Sequence, residues 1–183
     1  MLVPGPPAVR VPGQNRRGRC HHLPAAQGLF TPMFFDFSSA FNTIRPLRLA
    51  DKLSAMQVDQ DLVAWITDYL TGRPQYVRLQ GSLSEVVMSN TGAPQGTVLS
   101  PFLFTLYTTD FSHNSGACHL QKFSDDSTIV GCISEDDEEE YRGVVRSFVS
   151  WAEENHLQLN TGKTKELVVD FRRSKKPPRG PQP

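Results

Sequence analysis

The chain is short of cysteine, of long apolar runs and of net charge, and each shortage removes a class of protein. Its three cysteines, Cys20, Cys118 and Cys132, are odd in number and widely spaced. That usage argues against a disulfide framework and for a reducing, intracellular compartment, nuclear or cytoplasmic. "CHHLP" at 20–24 sets three ligand-type residues in a row. Zinc sites need a second Cys/His pair at fixed spacing, so this segment reads as solvated. No stretch approaches the ~20 apolar residues of a membrane-spanning helix. The opening "MLVPGPPAVRVPGQNRRGRC" lacks the continuous apolar centre of a secretory signal. No membrane partner is therefore expected. No internal repeat is visible.

The absence of net charge hides an asymmetry. Residues 1–30 carry four arginines and no acid, and residues 172–183 carry five Lys/Arg and no acid. The middle therefore holds all 19 acidic residues against 10 basic ones, a net charge of −9. An acidic body with basic ends is not the usual footprint of a stand-alone nucleic-acid binder. It suits an acidic, metal-holding core that relies on basic neighbours to grip a phosphate backbone.

What is present organises into one domain of ordinary size. Residues 1–31, rich in Pro, Gly and Arg, show no periodicity and are expected to be disordered, as is the basic, Pro-rich tail 172–183. Between them, 32–37 reads as a short apolar strand ending near Asp36. Pro46 suits the first turn of a helix over 46–56. A second helix is expected over 60–71, with Asp59 as N-cap, Gly72 as stop, and Leu62, Trp65, Ile66 and Tyr69 on the core face. "QYVRLQGSLSEVVMSN" alternates on both sides of Gly81-Ser82 and predicts a hairpin. A Gly- and Pro-punctuated loop, "TGAPQGTVLSP", precedes a helix with Leu99, Phe102, Leu103 and Leu106 at helical spacing. "HLQKFSDDSTIVGCI" reads as strand, two-residue turn, strand. A helix over 136–156 follows, its core face carrying Val144, Val145, Phe148 and Trp151. A last strand is expected over 166–171. The fold class implied is α+β, a mostly antiparallel sheet with helices packed on one face.

The chemistry concentrates on carboxylates. Asp125 and Asp126 are adjacent, and the nearest cation in sequence is Lys122. If the strand ending at Asp36 neighbours their hairpin, three carboxylates meet at one sheet edge. Repulsion then raises their pKa values or drives them into water, unless divalent cations intervene. Such oxygen-rich sites prefer Mg²⁺ or Mn²⁺, and two ions ~3.5–4 Å apart can clamp both the attacking and the leaving oxygen of a phosphoryl transfer. Alone, "SDDS" is an ordinary turn, since Asp and Ser are turn formers. The run "EDDEEE" at 135–140 reads as a solvated helix start, where acids favour the dipole. "RRSKK" at 172–176 reads equally as a phosphate contact, a nuclear-import signal or a solvated tail.

Four stretches occur in order: "FDFSSAFNTI", "DYLTGRPQYVRL", "TGAPQGTVLSP" and "LNTGKTKELVVDFRR". Together with "FSDDS" they resemble the palm of a reverse transcriptase of the LINE type of non-LTR retrotransposon, over residues 30–176. The resemblance implies an RNA-directed DNA polymerase domain, 32–171, that transfers a nucleotide from a dNTP to a primer 3′-hydroxyl. It implies an RNA template, a DNA primer and two Mg²⁺ or Mn²⁺ ions as partners. Asp36 and Asp125 would hold both metals, with Asp126 the peripheral carboxylate. Phe41 falls where the family has its sugar-reading aromatic. Backbone N–H groups of Ser38, Ser39 and Ala40 would meet the triphosphate. Gly92, Pro94, Gln95 and Gly96 match the loop beside template and nucleotide, where glycine permits close backbone approach. Lys163 is placed near the departing pyrophosphate, and Asn160 holds its loop.

The chain also departs from the family pattern. Ser124 stands where alanine is usual, Asn42 where the wider superfamily has aspartate, and Thr97 where cysteine is expected. The residues before Asp36 do not resemble the family's fingers, and no thumb is recognised after Lys176, so the fingers are expected to be largely missing. The alternative class is a catalytically inactive remnant or interaction module that keeps the palm fold; a different two-metal enzyme such as a nuclease is disfavoured by the ordered polymerase motifs.

Overall fold

The computed structural model describes residues 9–12, 28–135 and 137–171. Its centre is a five-stranded sheet in the order β1-β9-β2-β8-β7. The strands are β1 (Val9–Pro12), β2 (Leu29–Phe35), β7 (Cys118–Phe123), β8 (Asp126–Ile133) and β9 (Lys165–Asp170). All neighbours pair antiparallel except β1 and β9. The expected α+β class, with a mostly antiparallel sheet, is what the structure shows.

One strand and the first three residues of a second fall inside the segment expected to be disordered. β1 adds Val9–Pro12 to the sheet edge, and β2 begins at Leu29 rather than at residue 32. The N-terminal signal is weak because β1 is four residues long and ends in proline, which an edge position tolerates. The remaining residues of 1–31, and the tail 172–183, lie outside the described residues. Pro32 lies in a central strand yet keeps the ladder workable. It sits opposite Val130 of β8, while pairing with β9 skips from Phe30 to Met33. The proline has no N–H to donate at that gap.

Alternation along β2 and β8 sends Leu29, Met33, Phe35, Ile129 and Ile133 into one buried face. α5 (Glu139–Glu154) covers that face with Tyr141, Val144, Phe148 and Trp151. Phe148 is the hub: its ring lies 4.6 Å from Phe35, 5.3 Å from Phe111 and 5.6 Å from Trp151, centre to centre. Val145 is half-buried. α5 starts three residues later than expected, so only Glu139 and Glu140 of the acidic run occupy its first turn.

α1 (Ala40–Thr43), α2 (Pro46–Ala55), α3 (Gln60–Leu70) and α4 (Leu99–Tyr107) complete the helical layer. α3 is capped as predicted: Asp59 accepts the Asp61 and Leu62 N–H groups at 3.0 and 3.4 Å. Its core face is not the predicted one. Val63, Ile66 and Leu70 are buried, whereas Leu62 is exposed and Trp65 is 53% exposed, stacked on Tyr69. Both stripes satisfy helical spacing, and packing against Leu49 and Leu53 of α2 selects between them. α4 is similar: Ser100, Leu103, Phe104 and Tyr107 are buried and Phe102 faces outward. An almost wholly apolar helix has no polar face to announce its orientation.

The predicted hairpin forms as two short ribbons. β3 (Arg73–Gln75) pairs with β6 (Val87–Ser89), and β4 (Arg78–Leu79) with β5 (Ser82–Leu83). The turn is at Gln80 and Gly81, one residue before the expected Gly81-Ser82. Both have positive φ, 48° and 88°, as a two-residue hairpin turn requires. Among the described residues, no helix is long and apolar enough to cross a membrane.

Candidate active site

Asp36 is the first residue past β2, where Phe35 stands opposite Ser127 of β8. Asp126 opens β8 and pairs with Phe123 of β7. Asp36 and Asp126 therefore flank the same end of two adjacent strands. Asp125 lies one residue back, in the turn at 124–125. Ser124 takes φ 54° in that turn, a left-handed conformation that serine adopts at modest cost.

Phe35 and Phe37 are both buried, so alternation turns the intervening Asp36 carboxylate off the core. The chain around it is then tied to a distant segment. The Ser38 N–H donates to Gln158 O at 2.7 Å, Phe37 bridges Leu159, and the Asn160 N–H donates to Asp36 O at 2.8 Å. These bonds lay residues 158–160 along the end of β2. They bring Lys163 Nζ to 3.8 Å from Asp36 Oδ2. Asn160 shapes the intervening turn: its carbonyl accepts the Thr164 N–H at 2.8 Å and the Thr164 hydroxyl at 2.9 Å, and its Oδ1 accepts the Lys163 N–H at 3.3 Å. With Lys163 71% and Asp36 35% exposed, the pair contributes at most about 1 kcal/mol, and its interest is positional.

The three carboxylates share one end of the sheet but do not close into a cluster. Among the described residues, no three acidic, His or Cys side chains gather closely enough to hold a metal ion. Asp36 is paired with Lys163. The donor chemistry still fits Mg²⁺ or Mn²⁺. Such ions are commonly held by one or two carboxylates together with substrate phosphates rather than by an all-protein cage.

Phe41 and Gln95 stand on two segments that are bonded to each other, α1 and the loop before α4. Phe41 is half-buried, its ring edge-on to Phe104 at 5.7 Å. Its carbonyl accepts the Ala93 N–H at 2.7 Å, and the Ile44 carbonyl accepts the Gly92 N–H at 2.7 Å. Gly92 has φ 72°, and a Cβ there would meet Asn42 Cα at 2.7 Å. The close approach expected of this glycine is thus to α1. Gln95 is exposed, and its Nε2 donates to Asn42 Oδ1 at 3.1 Å. Pro94 is half-buried; its carbonyl accepts the Thr97 hydroxyl at 3.0 Å and also the Ser100 hydroxyl. Gly96 has φ 78° and open space around it. Ser39 is exposed at φ 53°, and Ala40 is buried. The expected triphosphate cradle loses the Ser38 N–H, which the Gln158 carbonyl already occupies.

Three residues at this site escaped sequence reasoning as participants: Asn42, Gln158 and Lys122. Asn42 stood out only as a departure from aspartate, with no visible partner. Lys122 neutralises neither adjacent aspartate. Its ammonium is half-buried and donates to the carbonyls of Thr108 and Phe111, and desolvation pushes its pKa down.

The family model described as "Reverse transcriptase (RNA-dependent DNA polymerase)" matches residues 11–178. The chain belongs to the reverse transcriptase family. The match runs from within β1 to beyond β9, wider than the 30–176 of the resemblance. The chain is 25% identical, over 152 residues, to a probable RNA-directed DNA polymerase from transposon X-element of Drosophila melanogaster. That alignment covers 80% of this chain and 17% of the relative. It is 28% identical, over 142 residues, to the RNA-directed DNA polymerase from mobile element jockey of Drosophila funebris, covering 71% of this chain and 15% of the relative. The chain thus spans less than a fifth of the length of these two relatives. Among solved structures it is similar to telomerase of Candida tropicalis in complex with a TWJ fragment of telomeric RNA. The TM-score is 0.64 at 11% identity, over 79% of this chain and 27% of that one. The corresponding Candida albicans telomerase complex gives 0.56 at 15% identity, over 85% and 29%. At such identities the likeness establishes the reverse transcriptase fold alone.

Proposed function

We propose that this chain is the palm of a LINE-type retrotransposon reverse transcriptase. It adds deoxynucleotides to a primer 3′-hydroxyl under the direction of an RNA template. The observation that supports this reading is that Asp36 and the Asp125-Asp126 turn stand at the same end of β2 and β8, with Lys163 Nζ 3.8 Å from Asp36 Oδ2. The mobile-element relatives and the RNA-bound telomerase neighbour support a nucleic-acid template. The reading implies action inside the cell, in nucleus or cytoplasm.

Asp36 and Asp125 would hold two Mg²⁺ or Mn²⁺ ions, with Asp126 at the periphery. Those ions, when bound, lower the barrier by neutralising charge on the attacking and leaving oxygens. The chain's own residues do the rest. Asp36, fixed at a strand end by the Asn160 bond, orients the α-phosphate side of the site. The Phe41 ring, braced on Phe104, offers an apolar stop against a 2′-hydroxyl. Gln95, tethered to Asn42, offers an amide to the incoming nucleotide. Lys163 Nζ lies on the Asp36 side of the site, where a proton or positive charge stabilises departing pyrophosphate. Positioning and electrostatics supply the rate, since phosphoryl transfer asks little covalent chemistry of the protein.

Primer extension on poly(rA)·oligo(dT) with Mg²⁺ or Mn²⁺ tests the reading. Extension by the purified chain, abolished by Asp36→Asn and by Asp125→Asn, is the expected result. No extension at any protein concentration would overturn polymerase activity for this chain and leave the non-catalytic palm.

A further inference from the structure

Lys122 is the nearest cation to Asp125 in the sequence, yet it serves α4. Thr108 is the C-cap of that helix, and the Lys122 ammonium donates to its carbonyl and, at 2.8 Å, to that of Phe111. The preceding carbonyl, Tyr107 O, takes Lys52 Nζ at 2.6 Å, and Lys52 also bonds Asp110 at 2.9 Å. The carbonyls at the end of a helix have no partner within the helix and carry its negative dipole end. Here two lysines, from α2 and from β7, close them from different elements.

The hairpin that carries Asp125 is tied to β2 by a ladder that ends with Ser127 opposite Phe35, but its turn has few holds on the helical layer. Phe123 is 79% exposed, and Ser124 and Asp125 are only half-buried. Between hairpin and α4 runs an open groove of about 620 Å³, lined by Thr105, Thr108, Phe111, Leu120, Lys122 and Ser124 among others. Apolar packing therefore does not fix the turn against α4. At its other end, α4 follows the loop that carries Gln95, where the Thr97 and Ser100 hydroxyls hold the Pro94 carbonyl. The helix is a strut between the Gln95 loop and the Asp125 turn.

We propose that Lys122 is a positioning residue: its ammonium, bridging the groove to the Thr108 and Phe111 carbonyls, sets the place of the Asp125 turn relative to α4, while the β2–β8 ladder sets it relative to Asp36. Its effect on catalysis rests on the polymerase reading. The positional effect does not.

Two readouts separate them. In Lys122→Met, which keeps length without charge, amide hydrogen exchange at residues 123–126 accelerates by about tenfold or more, while β2 and α5 exchange as in the parent. Primer extension loses about tenfold in kcat, with KM for dTTP within about twofold, as misplacement of a reacting group predicts. Lys122→Arg, whose wider planar head fits two carbonyls less well, recovers part of both. Unchanged exchange at 123–126 overturns the proposal, and so does an equal acceleration across the whole chain. Local acceleration in a chain whose parent never extends a primer supports the positioning role and overturns the polymerase reading alone. Should Lys122→Met fail to fold by circular dichroism, Lys122→Arg decides: exchange at 123–126 about threefold faster supports the tie, and parent-like exchange with parent-like kcat overturns it.

Discussion

Replacing Gly92 by alanine, with Gly96→Ala as its partner experiment, tests how the loop before α4 is held against α1. Both glycines have positive φ, 72° and 78°. An alanine in that region costs about 1–2 kcal/mol at either position. Their surroundings differ. A Cβ at Gly96 meets nothing within 4 Å, whereas one at Gly92 meets Asn42 Cα at 2.7 Å and Phe41 O at 2.9 Å. Both obstacles are backbone, so no side chain can swing aside. The loop must move, at a cost of about 1–3 kcal/mol for overpacking. Movement also strains two bonds of 2.7 Å, from Gly92 N–H to Ile44 O and from Ala93 N–H to Phe41 O, each worth about 1 kcal/mol. Gly92→Ala should therefore destabilise by about 3–5 kcal/mol and Gly96→Ala by about 1–2 kcal/mol, read as urea midpoints at constant m. The loop shift also carries Gln95 away from Asn42, so KM for dTTP should rise in Gly92→Ala. Equal losses of stability in the two variants would refute the contact argument, because conformational strain alone treats the two sites alike.

Gly131→Ala should lower stability by about 1–3 kcal/mol in thermal unfolding, because its Cβ would lie 2.7 Å from the buried Tyr141 ring; a parent-like midpoint would refute this. Asp59→Ala should cost about 1 kcal/mol in urea through loss of the α3 N-cap, and Asp59→Asn much less. The Cys118 thiol is raised from 9.0 to about 11, chiefly by burial and then by Glu140 and Cys132. A thiol whose folded pKa is raised contributes stability that is complete below pH 9 and lost as pH climbs to about 11. The unfolding free energy from urea titrations should therefore fall over that range by up to about 2–3 kcal/mol more in the parent than in Cys118→Ala. A fall of the same size in both would show that other groups set the alkaline limit.

The elements were legible where a local rule had one solution. Pro46 at N1, Asp59 as N-cap and positive-φ Gly72 after α3 mark ends that the structure keeps. Orientation about the helix axis was not legible where two stripes competed. Leu62, Trp65, Ile66 and Tyr69 and the true set Val63, Ile66 and Leu70 both repeat at helical spacing. The fully buried Leu49 and Leu53 of the neighbouring helix decide, and no count within α3 contains that information. β1 was missed for a related reason. Four residues acquire strand character through their parallel pairing with Leu167–Asp170, which lies more than 150 positions away.

The site divides along a different line. The residues that the family resemblance singled out, Asp36, Phe41, Gln95, Asp125 and Lys163, are proposed to offer particular side-chain atoms to a ligand, and ligand chemistry constrains residue type. The bonds that hold them in place end mostly on main-chain oxygen: Asn160 N–H on Asp36 O, Ser38 N–H on Gln158 O, Ala93 N–H on Phe41 O, Lys122 Nζ on Thr108 O. Every residue offers a carbonyl, so the acceptor leaves no mark on the sequence, and when the donor is also an amide neither partner does. Side chains join this scaffolding at Lys122, at the Asn42–Gln95 pair, at Asn160 and Thr164, and at Thr97 and Ser100; Asn42 is one of them where a substitution can loosen the site without removing a residue proposed to meet a ligand. Asn42→Ala should thus behave like a milder Gly92→Ala, raising KM for dTTP with little change in the urea midpoint, since its exposed amide bond is worth about 1 kcal/mol or less. A lowered kcat at unchanged KM would instead tie Asn42 to the Asp36 side of the site.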